Sequence, residues 1–595
     1  MKAGTTPFVH LMAPFPAAVR AAPTAYRDGV NGTWLERGSP KFEKEEWDVS
    51  SRNRQTRLAA LGAATVASTL AATAVVGVAH GRTTADDDLR ASPTTSVEPY
   101  VLPVAPGVRI DSHFTVDDET AQDGYRMVGI PDGLGAFRSG TGNVVTYLNH
   151  ELSAGQGIVR RHGQDGAFVS RLVIDPVTGA VERGRDLIKV VNYWDYQSGG
   201  YVDAPVAPAG AAEGHQAAFS RFCSGYLAPR GSLLNEASGR GFQGSLYFAN
   251  EEAGVEGRAF GVSYNGAAFQ LPRLGLFSWE NTVSAANQTD TTVVMGNEDD
   301  AAGQLRVYVG RKQDTGTKVD KAGLTNGRLF VVDAVNEAVS TDAQFREAFG
   351  KGNSAAVRFG AGEEIDSTQS GNEQNVEAAA KGLALNRIED GSFDPNNKNN
   401  YYFLTTEGGS TAPNPKEPTI ARDGGGLWKL HFTDVERPEL GGRLTLLLDG
   451  SERPYLSKPD NMTIDDEGNM LIQEDPGTSD HLARIVAYNL RNGNRGVVAR
   501  FDRGLFGASN PSGVTGDDRA VLTTNEESSG IINTDDLFGD DTFMFDAQAH
   551  TAKGLPAGTG PGTVQEYVER GQLMTMQIDN WRAVYRIRDG DTVSR

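Results

Sequence analysis

Short apolar runs that stop at an acid set the pattern of this chain. Val144–Glu151 reads Val-Val-Thr-Tyr-Leu-Asn-His-Glu, and Thr291–Glu298 reads Thr-Thr-Val-Val-Met-Gly-Asn-Glu. The same ending closes Gly244–Glu252, Asn400–Glu407, Asn469–Asp475 and Ala520–Glu527. Runs of this length, rich in β-branched and aromatic residues and bounded by Gly, Asn or Asp, predict β-strands. Each predicted strand is the second arm of a hairpin. Asp460 starts a strand that turns at Asp466-Glu-Gly-Asn and returns to Glu474. A hairpin sets the start of its first strand beside the end of its second, so these two acids share one rim.

The same geometry is expected of Asp132 with Glu151, Cys223 with Glu251 and Glu252, and Glu280 with Glu298 and Asp299. It is expected again of Glu389 and Asp390 with Glu407. A sixth hairpin is read from about Asn510, through Gly516-Asp-Asp, to Glu526, without an acid at its start. Like chemistry at one end of six irregularly spaced hairpins predicts an all-β fold, a six-bladed β-propeller. Gln344–Gly350 and Gln374–Lys381 read as short helices on insertions.

Composition sharpens this picture. Gly is 71 of 595 residues, well above the usual ~7%, as a turn-dense β chain requires. A formal charge of -21 argues against a nucleic-acid partner, since nothing would neutralise phosphates over a wide surface. The single cysteine excludes an intrachain disulfide. Glycines and acids form no Walker loop, no Gly-x-Ser-x-Gly elbow and no His-Glu-x-x-His.

Acids converging on one mouth would repel one another, and bound cations remove that repulsion. Carboxylates suit Ca²⁺, whereas a thiolate prefers Fe, Zn or Cu. The candidate metal ligands are therefore Cys223, Glu151, Glu251, Glu252, Glu280, Glu298, Asp299, Glu389, Asp390, Asp460, Glu474 and Glu526. His150 is read either as a ligand or proton carrier or as a surface residue.

Residues 1–57 lack periodicity and are expected to be disordered, in part from a start codon placed too early, with Val49 the alternative start. Leu58–Ala79 is an uncharged Ala/Val/Leu/Thr run behind Arg52, Arg54 and Arg57. It reads as a signal peptide, or as an uncleaved membrane anchor. Residues 80–105 read as a linker and 106–595 as the propeller.

The sequence resembles the PhoX-type alkaline phosphatases, a family of exported bacterial enzymes. The resemblance lies in Asn149-His-Glu, Arg221-Phe-Cys-Ser-Gly, Glu251-Glu, Gly296-Asn-Glu-Asp-Asp with Arg306-Val-Tyr-Val, Arg387-Ile-Glu, and Pro459-Asp-Asn with Ile472-Gln-Glu. It implies an iron–calcium cofactor in the propeller channel and a phosphomonoester substrate. It also implies iron on Cys223, Glu280 and Glu389, with Glu151, Glu251, Glu298, Asp299 and Glu474 among the other acids. Cys223 and Arg387 are the catalytic candidates, Arg387 as a phosphate clamp or as a partner for one of the acids. The chain departs from the family at Leu227–Phe242, which is longer and lacks Trp, at Asn510-Pro-Ser-Gly before Val514-Thr-Gly, and at Asn525-Glu-Glu-Ser-Ser-Gly and Asp546-Ala-Gln-Ala-His. A divergent, exported, monomeric phosphoesterase is expected. The alternatives are a calcium-stabilised binding module and a calcium-only phytase-like or lactonase-like hydrolase.

Overall fold

A computed structural model describes residues 89–211, 215–360, 362–406, 425–475, 481–506 and 522–587. Their strands form six large sheets and two small two-stranded ones. The large sheets are the blades of a propeller, each led by an inner strand: Pro131–Arg138, Phe222–Ala228, Trp279–Ser284, Ile388–Asp394, Pro459–Ile464 and Glu526–Asn533 for blades 1 to 6. Successive inner strands pack against one another, and that of blade 6 packs against that of blade 1, which closes the ring. Gly133 permits this proximity at blades 1 and 2, because a β-carbon there would stand 2.0 Å from the Gly225 nitrogen.

Each inner strand pairs antiparallel with a second strand that ends at the same rim. The terminal pairs are Pro131 with His150, Phe222 with Glu251, Trp279 with Glu298, Ile388 with Thr405, and Pro459 with Glu474. Five hairpins thus follow the expected pairing. The sixth differs. Glu526–Asn533 is the inner strand of blade 6, not a returning one, and it pairs with Thr542–Ala549. Asn510, Val514 and the Gly516 turn lie outside the described residues, as do Glu407, residues 1–57 and the apolar run 58–79.

The expected linker is also revised where it is described. Leu89–Ala91 and Val101–Pro103 are strands, on the sheets of blades 6 and 5. Val108–Thr115 pairs with Arg570–Ile578, so strands from near both ends of the described chain share blade 6. Alternating apolar residues such as Val101 and Val108, Ile110 make burial on those sheets favourable, and both strands join one core with Ile485 and Met576. Helices Asp342–Ala348 and Gly371–Lys381 stand on excursions outside the inner strands, the second with a Ser370/Glu373 capping box. Among the described residues no helix is long and apolar enough to cross a membrane.

Apolar faces of neighbouring blades form the core, with large groups such as Trp279, Trp428, Tyr247 and Tyr401 wholly buried. Buried hydroxyls and amides tie the blades together. Tyr401 of blade 4 donates to Asn297 Oδ1 of blade 3 at 2.9 Å, and Tyr247 of blade 2 to Asn149 Oδ1 of blade 1 at 2.9 Å. Asn149 in turn donates to the Cys223 carbonyl at 2.7 Å. Tyr401→Phe leaves Asn297 Oδ1 without that donor and is expected to cost about 1 kcal/mol, measured as a lower urea midpoint at unchanged m-value.

Candidate metal centre

One backbone device recurs where the inner strands begin. Ile130, Arg221, Arg387 and Lys458 have φ of 48°, 50°, 56° and 45°, a left-handed conformation that costs a non-glycine residue about 1 kcal/mol. Their carbonyls accept the N–H of Glu151, Glu252, Thr406 and Asp475 at 2.9 to 3.0 Å. The residues two places further on are Asp132, Cys223, Glu389 and Asp460. Glu280 and Glu527 hold the matching places in blades 3 and 6. Directly after the second strands come Glu151, Glu252, Asp299, Thr406, Asp475 and His550. The missing acid of the sixth hairpin is therefore supplied by Glu527.

These side chains converge. Potential ligand atoms lie within 4.8 Å of one another in three linked groups: Asp132, Glu151 and Cys223; Cys223, Glu252 and Glu280; Glu280, Glu389 and Asp460. Cys223 and Glu280 each serve two groups. The Cys223 thiol donates to Asp132 Oδ2 at 3.5 Å. Ser224 Oγ donates to Glu280 at 2.6 Å and itself accepts from Asn461 of blade 5 at 2.5 Å, which braces Glu280 across the channel. Thr406 donates to Glu389.

Two arginines lie over the acids. Arg221 contacts Glu151 at 2.7 Å and also bonds Glu252. Arg387 holds Asp299 with two bonds of 2.9 and 2.7 Å and reaches Glu389 at 3.4 Å. Both are part-exposed at the mouth. Arg387 thus pairs with the acids, the second of its two expected roles.

Burial, and then mutual repulsion, pushes Asp132, Glu280, Glu389, Asp460 and Glu527 well above the carboxylate range. Glu252 is raised to about 8 and Asp475 to about 6 for the same reasons, and the Cys223 thiol is also pushed up. Asp132 Oδ1 and Asp460 Oδ1 are buried with no hydrogen-bond partner among the described residues. Two hard oxygens left unpaired, beside a thiol and further carboxylates, form a donor set that fits bound cations, hard ones on oxygen and a softer one on sulfur.

Several expected ligands lie elsewhere. Glu251, Glu298 and Glu474 end their strands one residue before the mouth acids, so alternation turns them to the opposite side. Each is buried against an arginine of its own blade: Arg258 at 2.6 Å, Arg306 at 2.9 Å and Arg484 at 2.7 Å. Asp390 sits beneath the ring and accepts from Asn281 at 2.6 Å and from the Met462 N–H at 3.1 Å. Glu526 turns to blade 5 and accepts the Ala483 N–H at 2.9 Å. His150 is buried away from the mouth, stacked on Phe168 with ring centroids 4.3 Å apart and bonded to Ser170 at 2.7 Å. Sequence reasoning left Asp132, Asp475, Glu527 and His550 out of the ligand set; the signal for them is the constant offset from the strand ends.

An acidic, thiol-bearing mouth on a six-bladed propeller defines a propeller with a candidate metal site. The family model for alkaline phosphatase PhoX matches residues 263–534, which bears out the resemblance to that family. Among solved structures, Pseudomonas fluorescens PhoX in complex with vanadate is similar at 10% identity over 82% of this chain and 98% of that one, with a TM-score of 0.55. At that identity the likeness concerns the fold. A periplasmic gluconolactonase of Pseudomonas aeruginosa shares 10% identity over 62% of this chain and 84% of that one, at a TM-score of 0.28 too low for argument. No curated protein sequence matches.

Arg484→Met removes the guanidinium from the buried Glu474, leaving it His481 at 3.1 Å and the Ser457 N–H at 2.9 Å, and is expected to destabilise the protein by up to about 3 kcal/mol. Against the effect of burial, Arg484 together with His481 holds the Glu474 carboxyl down at about 2 in the folded state, against 4.5 ordinarily. Its stabilisation is therefore complete above pH 4.5 and is lost as pH falls towards 2, so the variant should show a smaller stability loss over that window. The raised mouth acids act in the opposite sense. In chelator, the thermal midpoint is expected to fall as pH rises from 4.5 towards 8 through the Glu252 range, and added Ca²⁺ should restore it.

Proposed function

We propose that this chain is an exported, metal-dependent phosphoesterase of the alkaline-phosphatase type, acting on small phosphate monoesters. The observation that carries the proposal is the joint placement of Arg221 and Arg387 over the three linked acid–thiol groups. Anionic substrate and cationic metals both find complementary charge at one opening.

Cys223, Glu252, Glu280, Glu389 and Asp460 would hold iron, and Asp132, Glu151, Asp475 and Glu527 would hold calcium. When bound, these cations supply Lewis acidity and neutralise charge developing on the phosphoryl oxygens. The chain's own residues do the remaining work. Arg387, its guanidinium fixed by Asp299, presents positive charge that suits a phosphoryl group, and Arg221 faces the same opening from blade 2. Ser224 and Asn461 keep Glu280 in one orientation, and Thr406 does the same for Glu389. Asp132, Glu280, Glu389 and Asp460 beneath the arginines are buried, which strengthens these interactions. The vanadate complex of the Pseudomonas fluorescens protein supports a phosphoryl-shaped ligand here. Export by the apolar run at 58–79 belongs to the proposal.

Elemental analysis of protein from its native host should find iron together with calcium; calcium alone would turn the assignment to a calcium-only hydrolase or a binding module. Cys223→Ser is expected to lose iron and activity together. Arg387→Met should lower kcat/KM on a chromogenic phosphomonoester by about 10²–10³-fold while metal content holds. Activity that survives complete chelation would refute the proposal.

A further inference from the structure

The geometry points to a second, deeper cation site at the seam that closes the propeller, between Asp546 of blade 6 and Asp132 of blade 1. Counting back three residues from the terminal pair on each second strand gives Tyr147, Phe248, Met295, Tyr402 and Leu471 in blades 1 to 5. These are aromatic or aliphatic bodies, as packing between blades requires. In blade 6 the same place is Asp546. It is wholly buried, and neither carboxylate oxygen has a partner among the described residues. A carboxyl left in that state is costly and calls for an occupant of its surroundings.

The neighbouring atoms indicate the occupant's chemistry. Asp132 Oδ2 accepts from Cys223 and from Gln548, while its Oδ1 has no partner among the described residues. In blades 1 to 5 the inner strand bulges directly after its terminal pair; in blade 6 the bulge comes later, between Ser529 and Ile532. Bulges re-aim the chain next to sites. This one places Gly530, at φ +57°, against Asp132. A β-carbon on Gly530 would stand 2.4 Å from the Asp132 carbonyl oxygen and 2.8 Å from Asp546 Oδ2. The carbonyl and the carboxylate thus approach the same small space, which only glycine leaves open. Carboxylate and carbonyl oxygens select a hard divalent cation of calcium size. Asp132 would serve the mouth through one oxygen and the seam through the other. The ion would lock blade 6 to blade 1, a structural role that goes beyond the proposed hydrolysis.

The test uses the full-length protein loaded with Ca²⁺, dialysed and analysed for metal, as wild type, Asp546→Asn and Asp546→Leu, the last copying Leu471 of blade 5. Each variant is expected to hold one calcium equivalent fewer than wild type, and calcium added after chelation should raise its thermal midpoint less. Cys223→Ser removes the mouth thiol and should keep the seam equivalent, so failure of the phosphoesterase proposal is read separately. The near-isosteric Asn variant carries the test if the Leu variant does not fold. An unchanged calcium count in Asp546→Asn overturns the proposal. So does an Asp546→Leu protein more stable than wild type both with and without calcium; Asp546 is then a neutral buried acid.

Discussion

Crowded negative charge at one mouth is the constraint on which the rest of this structure depends. Asp132, Glu280, Glu389, Asp460 and Glu527 are each buried, and each raises the free energy of ionising its neighbours. Arg221 and Arg387 relieve part of this at the rim, where both remain accessible. They cannot relieve it beneath, where Asp132 Oδ1 and Asp460 Oδ1 stay unpaired among the described residues. Cations bound on the proposed ligands would stabilise a ring built in this way. Metal binding and folding are then coupled, because the unfolded chain offers no such assembled site.

A propeller is suited to collecting these groups. Each blade contributes two rim positions, one at the start of its inner strand and one just past its second strand. Left-handed residues at four blades aim the inner strand so that the third residue of the motif faces the channel. Strand alternation then sorts the acids. Glu252 faces the mouth while Glu251 pairs with Arg258, and Asp475 and Glu474 divide in the same way, with Arg484 taking the second. Arginine-paired and mouth-facing carboxylates are thus adjacent in sequence and opposite in direction. The same arginine pairs fasten the second strand of blades 2, 3 and 5 to the third, next to the rim.

Closure is the second demand. A ring of blades must be joined where its ends meet, and here strands from residues 89–115 complete the sheets of blades 5 and 6. Blade 6 is the least regular blade at the mouth, with His550 where blades 1, 2, 3 and 5 place an acid. It also holds the displaced bulge and the buried Asp546.

Much of this was legible beforehand. Alternating strands, Gly- and Asn-rich turns and the recurrent acid ending defined an all-β propeller, because strand pairing in a hairpin follows from local order. The same logic brought Cys223, Glu280, Glu389 and Asp460 to a common rim. It failed where direction, not position, decides. Nothing local distinguishes Glu298, bound by Arg306, from Asp299, bound by Arg387, and Glu526 and Glu527 are equally indistinct. The sequence by itself determined the strands, their pairing and the kind of donor at each end. Only the tertiary structure decided which face each acid takes, which arginine it meets, and that residues 89–105 belong to the blades, because those outcomes arise from contacts between segments far apart in the chain.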